Sequence, residues 1–171
     1  MNIRMATQNL NALLDGARVV ISGVRYCWLI THGEGQMVSV RPMGRLLDTT
    51  DWAIRFVTDR RSRKVADLRR NAQVELIFQA SPTDAFVVVA GEARMLESAA
   101  ESARLWKDAF SVYFPSEEDR KNVAFVEVDP KRMDLWIRGV TPEPFGLTAT
   151  VLERCSESTG GWALRPAEAG Q

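Results

Sequence analysis

Between Ala6 and Val24 the apolar positions Leu10, Leu13, Leu14, Ala17, Val20 and Ile21 recur three and four residues apart, the spacing of an amphipathic helix. The period then shortens. "YCWLITH" is a run of strand-forming residues, "GEG" a tight turn, and "QMVSVRP" a second strand. After the turn segment "LLDTTDW", the residues Trp52, Ile54, Phe56 and Thr58 alternate with Ala53, Arg55 and Val57, as in a strand with one core face. Val74, Leu76 and Phe78 alternate in the same way with Gln73, Glu75, Ile77 and Gln79. "SPTD" breaks that strand, and "AFVVVAGEARML" follows as a long one in which Gly91 predicts a bulge or bend.

Helical signals interrupt the strands. A helix is predicted from Ser62, with Val65, Leu68 and Ala72 turned inward. Ser98 and Glu101 have capping-box spacing, and Ala99, Ala103, Trp106 and Phe110 mark one face of a helix running to "YFP", read as a crossover. Ser116 opens a short acidic helix. "NVAFVEVD" and "KRMDLWIRG" read as a pair of strands parted by an Asp129-Pro130 turn. The expected fold is mainly β: a six-stranded antiparallel Greek-key barrel over residues 1–139, with N-terminal and crossover helices. Residues 140–171 form an extension, with an added hairpin from "FGLTATVLERC" and "WALRP" and a frayed "AEAGQ" end.

Composition narrows the function classes. The 22 basic and 22 acidic side chains among 171 residues cancel, so no global field draws the chain to nucleic acid or an anionic membrane. No window approaches the ~20 apolar residues that span a bilayer. The two cysteines, Cys27 and Cys155, lie far apart in no metal or redox motif and read as free thiols in a reducing, cytoplasmic setting. A single histidine, His32, is the one possible base for a Ser-His-Asp triad and cannot supply the several imidazoles of most catalytic zinc centres, so function by a histidine cluster is not expected. It sits beside a turn, where a hydrogen-bonded role is expected rather than haem ligation.

Against this neutral background, "TDRRSRKVADLRRN" gathers Arg60, Arg61, Arg63, Lys64, Arg69 and Arg70 around Ser62 at the mouth of a predicted helix. Helix N-termini expose unpaired N–H groups and partial positive charge, so cations there repel unless an anion offsets them. A phosphate would satisfy the Ser62 hydroxyl, the free amides and the Arg63-Lys64 pair together. A solvated basic face is the alternative. Arg41, near the end of a strand and followed by Pro42, which marks a sheet edge or break, is placed on the same rim if the second and third strands pair.

The order and spacing of "VSVRPM", "FVTDRRSRKVADLRRN", "VELIFQ" and "FVVVAGEARML" resemble the pyridoxamine 5′-phosphate oxidase-like superfamily, most closely its general stress protein branch. The resemblance runs from about Ala6 to Gly139. It implies an FMN-binding split β-barrel that forms a homodimer with flavin at the subunit interface. It implies that Arg41, Ser62, Arg63 and Lys64 hold the FMN phosphate, that Val57 and Thr58 run along the isoalloxazine, and that the Pro42 and Met43 backbone closes near the ring. Independently, Met133, Leu135 and Ile137 alternate with Arg132, Asp134, Trp136 and Arg138, which turns the large Trp136 ring to the polar face. The family has a tryptophan in this region that approaches the flavin from the partner.

The chain has no histidine after His32, so it lacks the Arg-x-His motif of the oxidase proper, and "RPMGRLL" offers no equivalent of that enzyme's substrate lysine. Pyridoxamine 5′-phosphate oxidase activity itself is not expected. The expected function is FMN-dependent electron or hydride transfer with a small-molecule substrate or donor. A flavin-binding stress protein without turnover and a deazaflavin-dependent reductase are the alternatives. Nucleic-acid binding by the basic patch is disfavoured by the neutral charge and the lack of interleaved aromatics.

Overall fold

The computed structural model describes residues 3–46, 51–81, 83–156 and 161–165. The predicted first helix is present as α1 (Ile3–Gly23). Leu13, Ala17, Val20 and Ile21 are buried in the main core, with Leu10 and Leu14 packed at its edge. The strands follow as β1 (Tyr26–His32), β2 (Val38–Gly44), β3 (Ile54–Asp59), β4 (Gln73–Ala80), β5 (Ala85–Leu96) and β6 (Val123–Ile137). The expected hairpin of the extension is β7 (Thr150–Arg154) and β8 (Trp162–Leu164), paired antiparallel. Its connecting "SESTGG" lies largely outside the described residues, as do part of the "LLDTTDW" turn and the "AEAGQ" end.

These strands form one antiparallel sheet of eight in the order β2-β1-β4-β5-β6-β7-β8, with β3 also on β6. The six-stranded barrel is therefore corrected to an eight-stranded open sheet. Among the described residues there is no continuous ladder between β2 and β3, only the Arg45–Phe56 bridge and the Leu46 amide donating to the Arg55 carbonyl at 2.7 Å. The curled sheet wraps a core of Leu29, Phe56, Leu76, Phe78, Val87, Val89 and Leu135, which α1 covers.

Two further corrections concern β6. It is one strand of 15 residues, running through the expected Asp129-Pro130 turn. Pro130 is tolerated there because β3 pairs with β6 only as far as Val128 and β7 only from Arg132, so the missing N–H falls in a gap between neighbours. On the other side, the β5–β6 register shifts between Ala90 and Gly91, which is the bulge that Gly91 signals. β5 and β6 are also direct antiparallel neighbours, so the segment between them is an excursion, not a crossover. Its helix is shorter than the apolar pattern suggests. α3 (Ala99–Leu105) stops before Trp106, a 3-10 turn spans Asp108–Val112, and α4 (Glu117–Lys121) completes the return. Both expected caps form: Ser98 pairs reciprocally with Glu101, and Ser116 with Asp119. A second small core of Leu46, Leu96, Phe114, Val123 and Phe125 fastens this excursion beside β3.

Candidate functional site

α2 (Arg63–Arg70) carries the chain from the end of β3 to the start of β4, and buries Val65 and Leu68. Ala72, expected on that inward face, is exposed beyond the helix end. Ser62 occupies the N-cap position with extended backbone but makes no side-chain cap bond. Its hydroxyl is buried and has no hydrogen-bond partner. A buried hydroxyl that satisfies neither its own helix nor a neighbour is costly, and its position at a helix N-terminus makes it a donor suited to an anion.

Cations converge on this point from two elements. β2 is an edge strand, as Pro42 signals. Strand alternation turns Val38, Val40 and Pro42 outward and sets Arg41 and Met43 on the other face. Arg41 then reaches α2: it donates to the Thr31 hydroxyl at 2.5 Å and lies 3.7 Å from the Asp67 carboxylate. Burial holds the Arg41 guanidinium below its ordinary value, with Asp67 opposing the shift and Arg63 adding to it. Lys64 donates to the Thr58 hydroxyl at 3.0 Å. It is likewise lowered, first by burial and then by Arg41. Arg63 is exposed and has no hydrogen bond or ion pair among the described residues. Other members of the basic run are engaged: Arg61 with Asp59 at 2.6 Å, Arg69 with Glu97 at 2.7 Å, and Arg60 with the Val123 carbonyl at 3.1 Å.

A cleft of about 420 Å³ opens beside Lys64. Pro42, Met43, Val57 and Thr58 line it, so five of the nine residues expected at the site meet in one cavity with Lys64 included. Arg41, Ser62 and Arg63 are not among its lining residues; Ser62 and Arg63 directly precede Lys64 in the chain, and Arg41 lies close enough to Lys64 to lower it. Trp136 does not line the cleft either. It is half-buried on the outer face of β6, opposite Phe86, and twelve positions separate it from Ala124, the partner of Thr58, or roughly 40 Å of strand.

Sequence reasoning missed the remaining walls: Arg25, Tyr26 and Arg45 from the end of α1 and the β1–β2 region, and Phe110, Tyr113, Phe114 and Asp119 from the β5–β6 excursion. Arg45 is buried, and its guanidinium donates to the Ser22 and Val24 carbonyls, which closes the C-terminus of α1. The two carboxylates on the cleft are held below their ordinary value. Asp59 is lowered by its bond from Arg61, and Asp119 by the Ser116 cap.

The other candidates take the roles expected of them. His32 pairs with Glu75 at 3.1 Å. Cys27 is buried, which pushes its thiol up to about 12, and Cys155 is also free of disulfides. Among the described residues no acidic, histidine or cysteine cluster is suited to a metal, and no helix is long and apolar enough to cross a membrane.

Comparisons with known proteins give the same family as the motifs. A protein from Clostridium acetobutylicum related to general stress protein 26 of Bacillus subtilis superposes with TM-score 0.65 at 19% identity, over 75% of this chain and 89% of that one. General stress protein 26 of Bacillus anthracis superposes with TM-score 0.59 at 20% identity, over 71% and 91%. A pyridoxamine 5′-phosphate oxidase-related, FMN binding protein from Nostoc punctiforme has TM-score 0.61 at 15% identity and covers 96% of this chain and 97% of its own, extension included. No curated protein matches the chain. The family model described as pyridoxamine 5′-phosphate oxidase like matches residues 15–143, and the chain belongs to that family.

Proposed function

We propose that the chain binds FMN in the cleft beside Lys64 and acts as an FMN-dependent oxidoreductase on a small molecule, as a homodimer. The observation that carries this reading is the buried, unpartnered Ser62 hydroxyl among Arg41, Arg63 and Lys64 at the N-terminus of α2. None of the described residues satisfies that hydroxyl, and a phosphate monoester would accept from it, from the first α2 amides and from the cations at once. The FMN binding of the Nostoc relative supports the choice of FMN over a deazaflavin.

In this reading Arg41, Ser62, Arg63 and Lys64 hold the phosphate, and Pro42, Met43, Val57 and Thr58 flank the ring. Bound flavin supplies hydride or electron transfer, and the protein supplies position and exclusion of water. The engagement of Asp59 by Arg61 and of Asp119 by Ser116 suits such a division of labour, because neither cleft carboxylate is set up to move a proton. The same observation favours a second reading, a flavin-binding protein without turnover.

The homodimer rests on the outer face of β1 and β2. Tyr26, Trp28, Val38 and Val40 are each about half exposed there, on adjacent paired strands. A contiguous apolar face of this kind marks an association surface. Tyr26 and Pro42 belong both to this face and to the cleft, so a second copy docked on it would wall the cleft. Trp136, remote from the cleft of its own chain, is assigned to that of the other protomer.

The test is the visible absorption spectrum of the purified protein, repeated after incubation with FMN and removal of excess. Near-stoichiometric flavin, lost in the Arg63→Ala/Lys64→Ala variant, is the expected result. A colourless protein that refuses FMN overturns the reading. Anaerobic bleaching of the bound flavin by a nicotinamide donor separates the oxidoreductase from the carrier without turnover.

A further inference from the structure

Asp67 is the single acid in α2, and it is buried. A carboxylate in such a place must be paired. One of its oxygens accepts from the Thr31 hydroxyl at 2.9 Å, and the same oxygen lies 3.7 Å from the Arg41 guanidinium. Thr31, fully buried on β1, accepts in turn from Arg41 at 2.5 Å. The donor directions agree around the chain: guanidinium to hydroxyl, hydroxyl to carboxylate.

This relay connects three elements. Arg41 comes from the edge strand β2, Thr31 from its neighbour β1, and Asp67 from the helix whose first turn bears Ser62, Arg63 and Lys64. Without it, a long side chain on an edge strand would be repelled by the other cations and free to turn outward. We infer that Asp67, acting through Thr31, is a positioning residue that holds Arg41 against α2 in the orientation that receives the ligand phosphate. The assignment rests on the flavin reading above and deepens it.

Charge and position predict opposite signs here. Removing the Asp67 charge makes the site more positive, and if charge count governed affinity, FMN would bind more tightly. If Asp67 positions Arg41, its loss weakens FMN binding despite the added positive charge. Thr31→Val separates the two effects, since it removes the hydroxyl relay at unchanged charge and similar volume.

The experiment compares dissociation constants for FMN and riboflavin, at one ionic strength, in the full chain and its Asp67→Asn and Thr31→Val variants. Riboflavin lacks the phosphate, so general damage to the fold moves both ligands together. The expected result is a loss of about tenfold in FMN affinity in both variants, with riboflavin changed by less than about twofold. Equal losses for both flavins, unchanged FMN binding, or tighter FMN binding in Asp67→Asn overturns the assignment while leaving FMN binding established. A parent chain that binds no FMN overturns the flavin reading itself, and this assignment with it.

Discussion

The Lys64 ammonium donates to the Thr58 hydroxyl at 3.0 Å, so the first turn of α2 is tied to the end of β3 where the cleft begins. Burial and Arg41 hold Lys64 below its ordinary value. Only the protonated form attracts a phosphate, and raising the pH removes it. FMN affinity is therefore expected to fall in the alkaline range, at a lower pH than a free lysine would give, and Lys64→Arg should abolish that fall. The apo protein has the reverse dependence. Its folded state binds the Lys64 proton less tightly than its unfolded state, so stability should rise with pH between the folded and unfolded values. Titration calorimetry and thermal melts across that window check both signs.

Ser62 and Ser98 both precede helices but should respond differently to alanine. Ser98 accepts from the Glu101 amide at 3.1 Å, and its loss is expected to cost about 1 kcal/mol, seen as a Tm lower by roughly 2–4 °C. Ser62 makes no such bond, so Ser62→Ala should leave the apo Tm unchanged or raised while weakening FMN binding several-fold. A clear loss of apo stability in Ser62→Ala would count against its role as a ligand donor held in reserve.

Trp28→Glu places a charge in the middle of the exposed β1–β2 face. Sedimentation velocity should show a dimeric parent and a monomeric variant, the variant having lost most of its FMN affinity. A parent that sediments as a monomer would remove the basis for assigning Trp136 to a second protomer's cleft.

Gly91→Ala tests the bulge. An added Cβ would clash with the Asp129 carbonyl oxygen, a backbone atom that cannot swing aside. The expected cost is about 1–3 kcal/mol, as for overpacking in a core, read as a lower denaturant midpoint. An unchanged midpoint would show that β6 moves freely at Pro130.

Trp162→Ala tests whether the extension is integral to the fold. Trp162 is fully buried and meets Trp52 edge-on at 5.6 Å, while Arg154 lies over its ring at 4.5 Å. Truncation is expected to cost about 3–5 kcal/mol. Trp162→Phe should cost much less, because the indole N–H has no hydrogen-bond partner to lose.

Much of the site was legible because its residues are close in sequence. Ser62, Arg63 and Lys64 adjoin, and Pro42 marks Arg41 as belonging to an edge. Asp67 could have been noticed too: it lies three residues after Lys64, which places both on one helical face. Its partner Thr31 gave no such signal, since a threonine in an apolar run reads as any strand residue. Trp106 and Phe110 continue the helical spacing of Ala99 and Ala103, yet they pack in the small core beside β3 after α3 has ended. Tertiary packing overrode a periodicity that was real but short.

Local pattern alone determined α1, the alternating strands, the two capping boxes, the bulge at Gly91 and the basic loop that leads into α2, because each depends on neighbours a few residues apart. The tertiary structure decided what depends on pairing across the chain. β6 runs through Pro130 only because β3 and β7 leave that position unpaired. The sheet stays open because, among the described residues, the ends of β2 and β3 meet only at the Arg45–Phe56 bridge and the Leu46–Arg55 hydrogen bond. Arg41 faces α2 because a threonine from β1 and an aspartate from the helix, 36 residues apart, are folded into contact.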